Sequence, residues 1–282
     1  MDAWTALALQ PHIGTKTLRA LMAHFGSAEA VLEATFKDLK QVHGIGAVTA
    51  RRIAEIDLEQ LNTQYHGWTR QGITLLTPDH PAYPTPLTGL DDAPSVLFAL
   101  GKPRLTLWSK TIAIVGTRTP EAHMQALTQG LALRLAQAKY TIISGLALGV
   151  DTYAHLGALA ATHGNTVAVM GSGVLNVYPP SNRPLAQQVI ARGLILSEQR
   201  PESDVSSSQL VARNRIISGL SRTIIVIQTE ADGGAMHAAR MGAAQGRTIY
   251  AIDLPYSGNQ QLIQEGAIPL SALLAPWPFG DE

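Results

Sequence analysis

Cysteine is absent from all 282 residues, which excludes disulfides and thiolate metal sites. Charged residues are scarce at 15%, aromatics scarcer at 5%. No apolar run approaches the length that spans a bilayer. The start, Met1-Asp-Ala-Trp-Thr5, puts no basic region ahead of an apolar segment. These absences predict a soluble, cytoplasmic protein without membrane contact. Net charge is missing as well: 21 Lys and Arg balance 21 Asp and Glu. That speaks against coating nucleic acid by bulk charge, yet it leaves room for a local basic groove. Neither Gly-x-x-x-x-Gly-Lys-Ser/Thr nor a Gly-x-Gly-x-x-Gly helix opening occurs. No Ser/His/Asp set and no His/Asp metal spacing stands out, so no catalytic residue, metal or cofactor is expected.

What remains is apolar. Hydrophobic residues make up 46% of the chain, enough for a sizeable core, and the length fits one large domain plus a small one. Residues 1–66 read as wholly helical. There, Val42-His-Gly44-Ile-Gly46-Ala-Val-Thr-Ala-Arg51 has a Gly-Ile-Gly turn between short helices, and Ile13-Gly-Thr-Lys-Thr-Leu18 is a degenerate second copy. Both resemble a helix-hairpin-helix. Such turns either contact phosphates through backbone amides or only join structural helices, and the balanced charge here leaves both open. Residues 67–104 read as a connecting segment with edge strands at Ile73–Leu76 and Val96–Ala99, separated by proline-rich turns. Residues 276–282 read as a tail.

Between them, residues 105–275 alternate strand and helix. Thr111–Val115, Thr141–Ile143, Thr166–Met170, Leu194–Glu198, Thr223–Ile227 and Thr248–Ile252 are the strands, the last of them closing the sheet. The pattern predicts an α/β fold: a Rossmann-like, mainly parallel sheet with helices on both faces, preceded by the small all-α helix-hairpin-helix or SAM-like domain. Ligands of such sheets bind beyond the carboxyl ends of the strands, where turns feed helix N-termini.

Four turns fall there. Gly116-Thr117-Arg118 combines a close-approach glycine with a planar cationic fork. Ser144-Gly145-Leu146-Ala147-Leu148-Gly149 leads to Asp151 and His155, which share a helix face. Those two side chains either reach a ligand or cap and pack the helix, and the second role suits the residue types better. Gly171-Ser172-Gly173 is followed by Tyr178, a ring for base stacking or a core plug. Glu230 and Asp232 read as turn and capping residues. Further along, Arg213-Asn214-Arg215 offers two guanidinium groups about half a turn apart. Either they clamp phosphates or they form ion pairs, one facing the pocket while the other meets a carboxylate.

The motifs Ile114–Arg118, Ser144–His155, Ala168–Gly173 with Tyr178-Pro179, Leu196–Glu198, Arg213–Ser221 and Gly266-Ala267 together resemble the DNA-processing protein A family, DprA. Its members are mediators that load RecA on incoming single strands in natural transformation. The resemblance implies a basic pocket for single-stranded DNA, homodimerisation, RecA recombinase as a partner, and no catalysis. Carried over by motif, Arg118 grips a backbone phosphate, Ser144–Gly149 and Gly171–Gly173 line the pocket, and Arg213–Arg215 sit beside it. The chain departs from the family pattern at Leu210, Val211 and Ala212, where phenylalanine and proline are usual. The other class of function is a nucleotide-binding sensor or nucleotide-processing enzyme of the lysine-decarboxylase-like Rossmann group. Its Pro-Gly-Gly-x-Gly-Thr-x-x-Glu stretch corresponds to Gly233–Arg240, which lacks the glutamate.

Overall fold

The computed structural model describes residues 1–11, 13–272 and 279. Two compact units are present: Met1–Tyr83 with Thr88–Leu97, and Pro84–Leu87 with Phe98–Glu282.

The first unit is helical: α1 (Ala3–Ala8), α2 (Thr15–Phe25), α3 (Ala28–Glu33), α4 (Phe36–Leu39), α5 (Ala47–Ala54) and α6 (Leu58–Arg70), then one strand, β1 (Ile73–Leu76). Asp2, Ser27 and Asp57 each accept a backbone N–H in the first turn of their helices, and Thr35 closes a capping box with Asp38. These short polar side chains decide where each helix starts. The α4–α5 connection contains Gly44 at φ +83, a left-handed turn that glycine adopts without strain, and Gly46 is the N-cap of α5. Leu7, Leu18, Leu21, Val31, Leu39, Ala50 and Ile53 are buried, so every helix from α1 to α5 contributes an apolar face.

The second unit runs β2 (Leu97–Gly101), β3 (Thr111–Val115), α7 (Ala122–Gln137), β4 (Thr141–Ser144), α8 (Val150–Ala160), β5 (Asn165–Met170), α9 (Arg183–Arg192), β6 (Leu194–Ser197), α10 (Ser207–Ala212), α11 (Asn214–Gly219), β7 (Thr223–Val226), α12 (Gly234–Ala244), β8 (Thr248–Ile252), α13 (Ser257–Gln264) and β9 (Ile268–Leu270). Its strands lie in the order β2-β6-β5-β4-β3-β7-β8-β9. All pairings are parallel except β2 with β6. The strands are unbroken apolar runs because both faces are covered. Ile112, Ile114, Ile225 and Ile227 join α7 and α8 in one buried cluster. On the other face, a side chain at Gly242 of α12 would run into Ile224 and Ile249.

Two features differ from the sequence expectation. Thr248–Ile252 does not close the sheet: α13 and β9 extend it by one strand, and Leu270 is buried. β9 has only three residues, with two of them exposed, so it carries little apolar signal. The Arg213–Arg215 stretch, read as one helix when its guanidinium groups were placed half a turn apart, is instead where two helices meet at Arg213, whose side chain turns inward. The tail expected over 276–282 lies outside the described residues except for Phe279, which is buried with its ring 5.3 Å from that of Tyr250.

Candidate nucleic-acid interface

Chain order reverses between β3 and β7. From β3 the connections lead outward through β4, β5 and β6; β7 then returns to pair with the other side of β3. At such a switch point the loops after the two central strands diverge and leave a crevice. A hollow of about 600 Å³ opens there. Its walls include Gly116, Thr117 and Arg118 after β3, Ala147 and Asp151 after β4, and Thr229, Glu230 and Asp232 to Ala235 after β7. Tyr178, Leu210, Val211, Arg213, Asn214 and Ile217 also line it. A narrower recess beside it is lined by Arg118, Gly145, Ala147, Leu148, Tyr178, Pro179, Leu210 and Arg213. That recess combines two guanidinium groups, an exposed aromatic ring and leucines, with no carboxylate among its described residues. Glu230 and Asp232 stand on the opposite wall.

The β4–α8 turn is held from several sides. Asp151 Oδ2 accepts N–H bonds from Gly145 (3.1 Å) and Ala147 (3.3 Å). Asn182 Nδ2 donates to Leu146 O (2.9 Å) and Ala147 O (3.2 Å). Arg213 Nη1 donates to Gly145 O and to Val169 O, the latter at 2.7 Å. Leu146 sits at φ +61 and is fully buried. A bulky residue in the left-handed region carries roughly 1–3 kcal/mol of strain, which persists only where surrounding contacts over-determine it. This turn is therefore a stiff wall.

The same bonds alter the chemistry expected of it. The N–H groups of Gly145 and Ala147 are taken by Asp151, that of Thr117 by Gln228 O (2.7 Å), and that of Gly173 by Ser203 O (2.9 Å). Amides at the strand ends, where such folds bind ligands, are thus spent inside the protein, which leaves cationic side chains as the groups on offer to an anion.

The two arginines of the hollow differ. Arg213 has a side chain only 10% exposed, and its Nη2 lies 3.9 Å from Asp151. Burial holds its pKa below the ordinary value, opposed by Asp151 and reinforced by the nearby charge of Arg118. Burial likewise raises the Asp151 carboxyl, with Arg213 and the turn amides opposing the rise. Arg118 is exposed at the mouth of the hollow. Gly149 makes room for it: at φ +76, its α-carbon abuts the backbone of Thr117 and Arg118, where a side chain would collide.

Of the residues singled out in the sequence, Gly116, Thr117, Arg118, Gly145, Ala147, Asp151, Arg213 and Asn214 come together around the two cavities. Ser144, Leu146 and Gly149 form the turn behind them. Ser144 Oγ donates to Ile114 O at 2.7 Å. His155 is fully buried in α8 with Nδ1 2.7 Å from Thr166 Oγ1. Gly171, Ser172 and Gly173 do not line either cavity: Gly171 packs under Leu210, Ser172 Oγ donates to Asn176 O, and Gly173 packs under Arg200 and Pro201. Arg215 turns away and forms a two-pronged ion pair with Glu198 at 2.6 and 2.7 Å. One arginine on the hollow and the other on a carboxylate is the arrangement that their spacing allowed. Leu148 entered the sequence reading only as part of the Ser144–Gly149 turn and Leu210 only as a departure from the family pattern, because an apolar residue gives no sign that it faces a ligand; Glu230 and Asp232 were read as turn and capping residues.

A parallel sheet with reversed strand order and a hollow at its carboxyl edge defines a Rossmann-like ligand-binding domain. The family model for DNA recombination-mediator protein A matches residues 74–274, and one for a helix-hairpin-helix motif matches residues 3–63. The chain belongs to the DNA recombination-mediator protein A family. It is 35% identical to the DNA processing protein DprA of Bacillus subtilis over 71% of this chain and 69% of that protein. It is 32% identical to protein Smf of Synechocystis over 95% and 73%. Among solved structures, DNA processing protein A of Streptococcus pneumoniae superposes with a TM-score of 0.83, at 26% identity over 99% of both chains. The Helicobacter pylori protein, whose structure addresses its single-stranded DNA binding mode, superposes at 0.63, with 28% identity over 70% of this chain and 89% of that one. No helix among the described residues is long and apolar enough to cross a membrane.

Proposed function

We propose that this chain binds single-stranded DNA in the hollow at the carboxyl ends of β3, β4 and β7, and acts as a recombination mediator that loads RecA on incoming strands in natural transformation, as a homodimer. The observation that carries the DNA site is the recess itself: exposed Arg118 and buried Arg213 beside the half-exposed ring of Tyr178, with no carboxylate between them. Arg118 supplies the phosphate contact. Tyr178 offers a face for a base, and Leu148 and Leu210 give apolar flanks, the pairing of charge and stacking that sequence-tolerant strand binders use. The family membership and the strand-binding H. pylori relative support it. In this reading Asp151, Asn182 and the β4–α8 turn hold the recess in shape, and the protein performs no bond-making step.

The test is a gel shift with single- and double-stranded oligonucleotides at two salt concentrations, followed by a RecA filament-assembly assay on coated DNA. Arg118→Ala is expected to weaken single-strand binding at unchanged thermal stability and to slow RecA loading. Unchanged affinity would remove the recess as the DNA site. A second reading has one observation in its favour: Glu230 and Asp232 on the far wall suit the hydroxyls of a bound nucleotide. Turnover or tight binding in a panel of nucleoside monophosphates would support it over the DNA site.

A further inference from the structure

Among the described residues, the carboxylates of the second unit gather at one end of the sheet, whereas cations stand at both. Each parallel strand from β3 to β8 is preceded, within two residues, by a cationic residue or histidine: Lys110, Lys139, His163, Arg192, Arg222 and Arg247. The carboxylates Glu121, Asp151, Glu198, Glu202, Asp204, Glu230, Asp232 and Asp253 all follow strands, at the opposite end. Among the described residues the exception, Glu265 ahead of β9, is paired with Arg240 at 2.7 Å. A zero net charge thus conceals a basic amino-end rim.

Helix dipoles account for part of this. Cations suit helix C-termini, which lie at the amino end of the sheet. Arg192 serves that role by donating to Leu159 O, Ala161 O and Thr162 O at the end of α8. Arg247 does so by donating to Gly219 O at the end of α11. Dipoles do not account for Lys102, and account only in part for Arg104, whose Nη2 reaches Arg192 O at 3.4 Å. Both follow β2, the one antiparallel strand, whose direction delivers its carboxyl end to this rim. Arg104 also precedes a short 3-10 helix, where a cation opposes the dipole. Lys102, Arg104, Thr162, His163, Gly164, Asn165, Ala191 and Arg192 enclose a hollow of about 390 Å³ with no carboxylate among its described residues. Lys102, Arg104 and His163 are exposed. Arg192 quenches the carbonyls at the end of α8, so the outer cations face solvent at a site that is not electrostatically balanced from within.

We propose that this hollow is a second phosphodiester-binding site, separate from the recess at Arg118. β5, with six residues, separates the two ends of the sheet by about 20 Å at ~3.3 Å per residue. A second strand, or a distant part of the same one, can therefore occupy the rim while the first holds the recess. Lys102 and Arg104 supply the fixed charge, and the row of cations ahead of neighbouring strands continues the track at the ~5 Å spacing of the sheet.

The experiment titrates the full chain with a short oligo-dT at low salt and counts oligonucleotides per chain. Wild type is expected to bind two. Lys102→Glu/Arg104→Glu is expected to bind one, at unchanged melting temperature because both residues are exposed; Arg118→Ala is also expected to bind one, through the rim. With a longer strand, the double variant should lower the salt slope by about 1.4, near 0.7 for each single-strand phosphate that the rim no longer neutralises. A single oligonucleotide per wild-type chain, with affinity and slope indifferent to the double variant, overturns the rim site and leaves the Arg118 site standing. Saturable binding of poly-glutamate at the rim without oligonucleotide binding there assigns the surface to an acidic protein and overturns it as well.

Discussion

Two arginines on one hollow have opposite duties, and burial decides which has which. Arg213 ties Gly145 O and Val169 O and faces a buried carboxylate; Arg118 stands exposed at the mouth. Truncating one member of a buried charge pair leaves the other uncompensated, at about 3–5 kcal/mol. Arg213→Ala is therefore expected to lower unfolding free energy by that order in urea melts, and Arg213→Lys to rescue little, because an ammonium lacks the fork in which Nη1 holds both carbonyls while Nη2 lies 3.9 Å from Asp151. Arg118→Ala should leave the melt where it is. His155 makes a second residue-scale prediction. Thr166 Oγ1 donates to Ile142 O, so it accepts from His155 Nδ1, which fixes the tautomer and leaves Nε2 a buried acceptor without a partner among the described residues. Burial and then the Arg213 charge hold this imidazole's pKa down to about 3. A depressed folded pKa means stability that is complete above the unfolded value near 6.5 and is lost as pH falls toward 3, by about 1.4 kcal/mol per unit. His155→Gln should flatten that part of the stability-versus-pH curve, read from urea midpoints between pH 7 and 4. A parallel decline in both proteins would place the acid sensitivity elsewhere.

At the level of elements, α13 shows what local patterning conceals. Its first turn carries Asn259, fully buried. Asn259 Oδ1 accepts the N–H of Thr229 at 2.8 Å, and Nδ2 donates to Ile227 O at 3.0 Å and Ile252 O at 2.9 Å. One amide thus joins the ends of β7 and β8 and fixes the start of the Thr229–Gly234 wall. Asn259→Ala orphans these backbone groups, at about 1–3 kcal/mol each. The expected result is a loss of at least ~2 kcal/mol in global stability with faster amide exchange at Thr229; Asn259→Asp should do at least as much harm, since it turns an acceptor on two carbonyls. The strands β3 to β8 were legible because each is a short apolar run, most of them rich in β-branched residues, bounded by small or polar residues, and the edge that carries the hollow was legible because turns at strand ends must lie there. The pair α13–β9 was not: each element buries one leucine, Leu262 and Leu270, and the other buried contacts are an amide and a glycine against Glu230 O, which together give no hydrophobic period. The spent amides of the β4–α8 turn were invisible for a similar reason. Whether an N–H faces a ligand or Asp151 depends on side-chain direction, which spacing alone leaves open.

Over the whole molecule, 21 positive and 21 negative side chains cancel, so net charge does not gather DNA, and binding must come from local clusters of cations. Electrostatic binding to a strand releases about 0.7 counterion per phosphate contacted, and the slope of log affinity against log salt counts those contacts. The slope for a strand bound to this protein should therefore be modest, set by the few exposed cations of the recess and rim rather than by net charge. Arg118→Ala should reduce its magnitude by about 0.7, and should weaken oligo-dT, oligo-dA and mixed sequences by the same factor, because a guanidinium on a phosphate carries no base information. Fluorescence anisotropy over a salt series with those three strands measures both quantities at once. A loss confined to one base composition would instead put Arg118 against a base edge, and the phosphate path would then have to run along Tyr178 and Leu210 on the other lip of the recess.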